Sequence, residues 1–350
     1  MFTVYFATNR DITIRRNKPQ YGIRFNDMGP EMFRVGKAQV KKNEDGTYQL
    51  VKSELMPEDL EAANVENHTF GSPVIFEELR AQMQDQCLDV ITLITGFAST
   101  FESTLERAAE LHDKYRVPDP RNPEIKRNPY VFVFSWPSDG ETFPRRRYFS
   151  DRTDAQNSGH AMARAIKALL DFLDSLDEAK RCQQRIHLVA HSMGNWALRH
   201  AVLALSQLHD RPRLPRIFDH AFLMAADEDD DCFESDLKLG LLPQLARSVH
   251  VYHSENDIAL RISDVTKANP QRLGAAGPRV KNGLNARIFC VDCAQVDDTG
   301  TADGRHQYYR KRVEVVDDVV QVLAGTPLDD IKGRVVVEPA RSFRIVRRGR

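Results

Sequence analysis

The sequence predicts an α/β fold with a doubly wound, mostly parallel sheet, and three observations support this prediction. Short apolar runs alternate with longer stretches whose apolar residues recur at helical spacing. The short runs are mostly apolar on both faces, which is typical of parallel strands that are covered on both faces. A pentapeptide rich in small residues, at positions 190–194, stands between one such run and a helical stretch. In sheets of this kind, ligands bind beyond the carboxyl ends of the strands.

Residues 1–75 are predicted to form a strand and loop extension that packs on the main domain. Strand character is seen at residues 3–7, 33–40 and 48–51. An irregular stretch that contains Pro19 and Gly22 separates the first two of these strands. Because this section is polar, we expect it to bury little apolar surface by itself.

Residues 76–330 are predicted to form the main α/β domain. Its predicted strands span residues 90–95, 131–134, 186–189, 221–225, 249–252 and 288–291. Its predicted helices span residues 76–86, 100–115, 158–176, 195–208 and 313–323. The pattern Ser99-x-x-Glu102 predicts a capping box at the start of the second helix. Residues 331–350 are predicted to be a basic tail, either solvated or attracted to an anionic surface.

Composition and charge exclude several classes of function. The 350 residues are enough for one large or two ordinary domains, and 41% of them are hydrophobic. The net charge of −1 lacks the basic excess that is typical of nucleic-acid-binding proteins. No apolar run is long enough to span a bilayer. The N-terminal residues have no basic stretch before their short apolar run, which therefore indicates a strand rather than a signal peptide.

The five cysteines are scattered and odd in number, which argues against a disulfide framework and favours a cytoplasmic location. The spacing Cys290-x-x-Cys293 is compatible with a metal or redox site. Because the sequence has no second pair at zinc spacing, ordinary structural cysteines are the favoured interpretation.

The pentapeptide Ala190-His191-Ser192-Met193-Gly194 predicts a nucleophilic serine on a tight turn between a strand and a helix. Small residues two before and two after the serine allow such a turn to close. Ala190 departs from the usual G-x-S-x-G pattern, in which glycine takes the first position. The backbone N–H of Met193 is well placed to bind a developing oxyanion.

A serine nucleophile needs a base and an orienting acid, which follow it along the chain in this architecture. Asp257 comes after a predicted strand and is the favoured acid, although a turn or helix-cap role is the alternative. Asp227 is the rival acid, but its acidic run is typical of a solvated loop. His306 is the favoured base, since it follows the last predicted strand and a loop with Gly300 and Gly304; a surface histidine is the alternative.

Other residues are candidates for the oxyanion hole and the substrate pocket. The loop after the first strand of the main domain offers the backbone N–H of Phe97 as a second oxyanion donor, with Thr95 orienting the loop. Trp136 at another strand end lines a pocket or packs in the core. Arg147 and Tyr148 are predicted to lie in an overhanging loop, where they meet an anionic substrate group or are simply solvated.

Several motifs together make the chain resemble the alpha/beta-hydrolase superfamily and, more narrowly, a bacterial family of alpha/beta hydrolases of unknown function. The motifs that carry the resemblance are Ala7-Thr8-Asn9-Arg10, Thr95-Gly96-Phe97, Phe134-Ser135-Trp136-Pro137-Ser138-Asp139-Gly140, Ala190-His191-Ser192-Met193-Gly194-Asn195, Ala225-Ala226-Asp227, Asn256-Asp257-Ile258-Ala259-Leu260 and His306-x-Tyr308. The resemblance implies the alpha/beta-hydrolase fold, with Ser192, Asp257 and His306 as a catalytic triad. The chain departs from the family at Thr95, where histidine is usual.

We therefore expect a serine hydrolase that cleaves a small-molecule carboxylic ester or a lipid ester through an acyl-enzyme. This chemistry requires no metal ion and no organic cofactor. Two alternatives remain open at this point. A binding protein could keep the fold without the catalysis, and an acyltransferase could use the same triad with an alcohol in place of water.

Overall fold

The computed structural model describes residues 1–58, 69–140, 145–209, 212–261, 271–280, 282–297, 305–338 and 341–347, without the side chains of residues 145–147, 179 and 338. Its strands are β1 (Phe2–Thr8), β2 (Arg10–Arg15), β3 (Lys18–Phe25), β4 (Arg34–Lys42), β5 (Tyr48–Leu55), β6 (Val90–Ile94), β7 (Val117–Asp119), β8 (Asn122–Arg127), β9 (Tyr130–Ser135), β10 (Ile186–His191), β11 (Phe218–Met224), β12 (Ala246–His253), β13 (Ile288–Asp292), β14 (Arg334–Glu338) and β15 (Ser342–Ile345). Its α-helices are α1 (Gly71–Gln86), α2 (Phe101–Lys114), α3 (Arg145–Asp174), α4 (Gly194–Leu208), α5 (Leu242–Leu245), α6 (Leu273–Ala276), α7 (Tyr308–Lys311) and α8 (Val313–Leu323).

Over the described residues, a central sheet of 11 strands organises the fold, in the order β14-β15-β13-β12-β11-β10-β6-β9-β1-β4-β5. In this order, each strand from β15 to β1 pairs in parallel with the next. The pairs at the two edges, β14 with β15, β1 with β4 and β4 with β5, are antiparallel. The predicted α/β class with a mostly parallel sheet is confirmed. The carboxyl ends of the parallel strands meet at one edge, where the sequence places the candidate site.

Two hydrophobic clusters cover the two faces of the sheet. One contains the buried side chains of α1, α3 and α4, and the other contains those of α2 and α8. This arrangement follows from the sequence, because side chains of a strand alternate between faces and the central strands carry apolar residues on both faces. Within β1, for example, Val4 and Phe6 join one cluster while Tyr5 and Ala7 join the other.

The N-terminal section contributes β1, β4 and β5 to the central sheet, and β1 lies between β4 and β9. The expected irregular stretch is in part a hairpin of β2 and β3, so that expectation was wrong. Arg16 and Asn17 have φ values of 50° and 60°, and two successive positive φ values are those of the tight hairpin turn that matches strand twist. Pro19 is tolerated because β3 is one of only two strands in this small sheet.

Three local expectations differ from the structure. Thr100 rather than Ser99 caps α2, accepting a hydrogen bond from the Ser103 N–H at 3.1 Å. Residues 145–148 begin helix α3 instead of forming a loop, because the chain has no proline or glycine between position 145 and Gly159. Residues 334–338 and 342–345 of the expected tail form β14 and β15.

The described part of the chain contains no helix that is both long and apolar enough to cross a membrane.

Candidate active site

Ser192 lies on a sharp turn between β10 and α4, and its φ of 54° is in the left-handed region. A non-glycine residue in this region is strained by about 1–3 kcal/mol and persists only where its surroundings hold it. Here the Ser192 N–H donates to the Met224 carbonyl at 3.0 Å, and the Ser192 carbonyl accepts from the Asp227 N–H at 3.1 Å. The turn therefore fixes the serine at the carboxyl ends of β10 and β11.

Small residues around Ser192 are required by close backbone approaches. A Cβ on Gly194 would lie 2.5 Å from the Ile94 carbonyl oxygen, a distance that real Cβ atoms do not show. A Cβ on Gly96 would lie 2.7 Å from the Cβ of Ser192 and 3.2 Å from its Oγ. The methyl group of Ala190, by contrast, is accommodated in the buried core, so the departure from glycine at this position is structurally compatible.

His306 and Asp257 are joined by a hydrogen bond of 2.7 Å between Nδ1 and Oδ2. Asp257 is fully buried and His306 is 9% exposed. The other carboxylate oxygen of Asp257 accepts from the Leu260 N–H at 3.0 Å. Asp257 therefore combines the two roles that the sequence left open, a turn cap through Oδ1 and a histidine partner through Oδ2.

The pKa of His306 is raised above its ordinary value of 6.5. Burial alone would lower this pKa, but the charge of Asp257 and its hydrogen bond outweigh the effect of burial. The charges of Asp227 and Asp297 act in the same direction. The site thus stabilises the imidazolium that forms when His306 accepts a proton.

His191, the residue before Ser192, supports the main chain of His306. The His191 Nε2 lies 3.0 Å from the His306 carbonyl oxygen, and the two rings are 4.7 Å apart. Burial lowers the pKa of His191 well below its ordinary value, so the ring is neutral and its Nε2–H donates. Across the described residues, no hydrogen bond joins the His306 ring to the Ser192 hydroxyl. Residues 298–304, which include Gly300 and Gly304, lie outside the described residues.

The loop after β6 passes directly over the nucleophile. In the described ranges, neither the Phe97 N–H nor the Met193 N–H has a hydrogen-bond partner. Ala98 has a φ of 53°, so the loop is held in a strained conformation beside Phe97. Two backbone donors beside a serine hydroxyl are the geometry that binds a developing oxyanion.

Thr95 and Trp136 form contacts that hold the start of this loop. The Trp136 Nε1–H donates to the Thr95 carbonyl at 2.9 Å, and the Thr95 hydroxyl lies 3.3 Å from the hydroxyl of Thr104. Trp136 is 1% exposed and belongs to the core cluster. Of the two roles expected for Trp136, lining a pocket or packing in the core, its position agrees with packing, because a tryptophan with so little exposed surface does not line an open pocket.

Tyr148 connects the loop after β6 to Asp227. Its hydroxyl donates to Asp227 Oδ2 at 2.5 Å, and its ring meets Phe97 edge-on at 5.7 Å. Asp227 also lies 3.6 Å from the guanidinium of Arg272. The rival acid is therefore engaged by tyrosine and arginine, while Asp257 holds the His306 ring. The side chain of Arg147 lies outside the described residues.

Candidate metal ligands lie away from this site. Cys290 and Cys293 are buried free thiols. In the part of the chain that is described, His187, Asp219 and His220 form the one group with metal-ligand spacing, near the amino ends of their strands. Arg247 lies 2.6 Å from Asp219 and already neutralises that carboxylate, so the group carries no argument for a bound metal.

Comparison with known proteins agrees with the fold. Residues 74–325 match the model of an alpha/beta hydrolase family of unknown function, DUF900. A comparison with curated proteins finds no match. The matched segment covers more than half of the chain and includes the turn at Ser192, the loop after β6 and the His306–Asp257 pair. The chain therefore belongs to the DUF900 family of alpha/beta hydrolases.

Proposed function

We propose that the protein is a serine hydrolase that cleaves small-molecule carboxylic esters, with Ser192, His306 and Asp257 as its catalytic triad. The observation that carries this proposal is the 2.7 Å hydrogen bond between His306 and Asp257 beside a serine in left-handed conformation. Membership of an alpha/beta hydrolase family supports the hydrolytic chemistry. The scattered, odd set of cysteines supports a cytoplasmic location.

In the proposed reaction, the Ser192 oxygen attacks the ester carbonyl carbon while His306 Nε2 takes the hydroxyl proton. The hydrogen bond to Asp257 keeps the Nδ1 proton in place and thus presents Nε2 as the base. The Phe97 and Met193 N–H groups bind the tetrahedral oxyanion. Collapse breaks the bond to the alcohol, which takes the proton from His306 and leaves an acyl-enzyme.

Water then hydrolyses the acyl-enzyme, with His306 again acting first as base and then as acid. His306 removes a proton from water, whose oxygen attacks the acyl carbon, and the proton returns to Ser192 as the carboxylic acid leaves. The substrate's arrival closes the contact between Ser192 and His306, since catalytic hydrogen bonds are often long before substrate binds. The rings of Phe97, in the loop after β6, and of Tyr148 meet on the side of Asp227 and would contact the substrate there.

The decisive experiment is covalent labelling with a fluorophosphonate probe, followed by hydrolysis of p-nitrophenyl esters of increasing chain length. We expect labelling of the wild type, no labelling of Ser192→Ala, and labelling slowed at least a hundredfold in His306→Ala. His160→Ala, at an exposed position of α3, is the matched histidine control and should label like the wild type. An unlabelled wild type, or a His306→Ala variant that labels at the wild-type rate, would contradict the proposal.

A further inference from the structure

Arg10 is a buried arginine that joins several separate segments near the loop after β6. It is 1% exposed, although it stands at the start of the outer hairpin. Its guanidinium donates to the Ser135 hydroxyl at 3.0 Å, the Gly22 carbonyl at 2.9 Å, the Ser138 carbonyl at 3.1 Å and the Ser99 carbonyl at 2.7 Å. One side chain thus ties the end of β9 and the N-terminal hairpin to the loop that follows β6.

The same loop is held from its N–H side by a second group of contacts. The Ser99 N–H donates to the Ser138 hydroxyl at 3.0 Å, and the Ala98 N–H donates to Asp151 at 3.4 Å. The Ser138 hydroxyl in turn donates to the Asp151 carboxylate. Arg10 holds the carbonyl groups of Ser99 and Ser138, while Asp151 accepts from the Ala98 N–H and the Ser138 hydroxyl accepts from the Ser99 N–H. Both the carbonyl groups and the N–H groups of this backbone are therefore restrained.

Restraint matters here because the loop is not in a relaxed conformation. Ala98 has a φ of 53°, which a residue with a side chain adopts only where its surroundings impose it. The Phe97 N–H lies immediately before this residue, and Gly96 approaches Ser192 closely enough that a Cβ would be 3.2 Å from its Oγ. Rotation of the Ala98 backbone would therefore re-aim the Phe97 amide relative to the nucleophile.

Arginine is the residue type that can make this connection. Its planar fork offers five N–H donors in fixed directions, whereas lysine offers a single point of charge. Burial lowers the pKa of Arg10 to about 10, with Glu102, Asp151 and Asp11 acting in the opposite direction. The guanidinium is therefore still protonated at neutral pH and keeps every donor available.

We propose that Arg10 is a positioning residue for the oxyanion hole, which fixes the Phe97 N–H over Ser192 by holding the Ser99 and Ser138 carbonyls. This inference rests on the proposed serine hydrolase function. It gives the hairpin of β2 and β3 a role in the reaction, since Arg10 begins β2 and also donates to Gly22 of β3.

The test compares Arg10→Lys and Ser135→Ala with Met83→Ala in the full-length protein. Ser135→Ala removes the partner of the Arg10 Nε while the guanidinium keeps its three carbonyl acceptors, so it serves if Arg10→Lys does not fold. Met83 is a core residue of α1 at the opposite, amino end of β6, where its carbonyl accepts from Leu88. Met83→Ala lowers stability by leaving a cavity and thus controls for a merely structural effect.

Two measurements are made on each variant: hydrogen–deuterium exchange of the peptide that covers residues 97–99, and kcat and KM for a p-nitrophenyl ester. We expect Arg10→Lys to speed exchange of this peptide and to lower kcat at least tenfold, with KM changed less than threefold. Ser135→Ala should act in the same direction by about threefold in kcat. Met83→Ala should lower the melting temperature and leave both readouts at wild-type values.

The outcomes separate this proposal from the proposed function. If Arg10→Lys or Ser135→Ala leaves exchange and kcat unchanged in an active protein, the role of Arg10 is overturned. If Met83→Ala lowers kcat as strongly as Arg10→Lys does, the effect is general destabilisation and the role is again overturned. If the wild type neither labels nor hydrolyses esters, the hydrolase proposal fails, while the exchange measurement still decides whether Arg10 holds the loop.

Discussion

His191 donates its Nε2 hydrogen to the backbone carbonyl of His306 across 3.0 Å, so the residue before the nucleophile holds the main chain of the base. The His191 ring also stacks on Tyr309 at 4.5 Å. The turn between β10 and α4 therefore fixes two parts of the site. Its backbone presents Ser192, and its preceding side chain holds the segment that carries His306.

Replacement of His191 by phenylalanine tests this support. Phenylalanine keeps a ring against Tyr309 but cannot donate to the His306 carbonyl. We expect kcat for ester hydrolysis to fall by about threefold to tenfold, because the base loses one restraint but keeps Asp257. His200→Phe, on α4 beside Trp196, is the matched control and should retain wild-type kcat. A His191→Phe enzyme of wild-type rate would show that the contact with His306 is dispensable.

The sequence predicted the elements that depend on local patterns. The helix at residues 313–323 agrees with α8 in both bounds, because its valine stripe and its ends are local signals. The pairing of Asp257 with His306 followed from their order after Ser192 and the resemblance, and the structure has them in hydrogen-bond contact. The role of these residues in catalysis stays a prediction.

What the sequence did not predict depends on distant partners. Nothing near β1 indicates that it inserts between β4 and β9, since that pairing depends on segments far along the chain. Arg10 belongs to a motif that carries the resemblance, but the sequence assigns it no role, and only the fold brings four acceptors around it. The sequence assigns no role to His191, and only the fold brings its ring to the His306 carbonyl.

Asp257→Asn should shift the pH dependence of the reaction as well as its rate. The base is active when His306 is neutral, and Asp257 raises the pKa of His306 above 6.5. Activity of the wild type should therefore rise with pH through a midpoint above 6.5. Removing the charge should move this midpoint of kcat/KM to lower pH, and loss of the correct tautomer should lower kcat by about 10³–10⁴. Asp227→Asn should give a smaller shift in the same direction, because its charge also raises the pKa of His306.

If Asp227→Asn shifts the midpoint more than Asp257→Asn does, the assignment of the acid is wrong. Stopped assays at constant ionic strength are needed, since screening changes the effect of the more distant charge.

Gly96→Ala and Gly194→Ala should separate catalysis from folding. The new Cβ at position 96 would meet Ser192 itself, 2.7 Å from its Cβ, so we expect at least a hundredfold loss of fluorophosphonate labelling with a smaller loss of stability than in Gly194→Ala. The new Cβ at position 194 would meet the backbone carbonyls of Ile94 and Thr95 at 2.5 and 2.8 Å. Since backbone cannot move aside cheaply, Gly194→Ala should lower the free energy of unfolding by about 1–3 kcal/mol. Thermal melts and labelling rates check both; equal melting temperatures in the two variants would contradict the distinction.

Asp151→Asn tests the carboxylate that accepts from Ala98 and Ser138. Burial raises the pKa of Asp151 to about 6 in the folded protein, above its ordinary value of 3.8. The folded state therefore binds this proton more readily than the unfolded chain, so its contribution to stability is present at low pH and is lost as pH rises through about 6. Between pH 7 and pH 5 the wild type should gain about 1 kcal/mol in free energy of unfolding relative to Asp151→Asn. Urea denaturation at both pH values measures the difference, and Asp27→Asn, at an exposed position, should show none. A wild-type advantage that grows towards pH 7 would mean that Asp151 is held as a charged group, and the loop would then depend on a carboxylate rather than on a protonated acid.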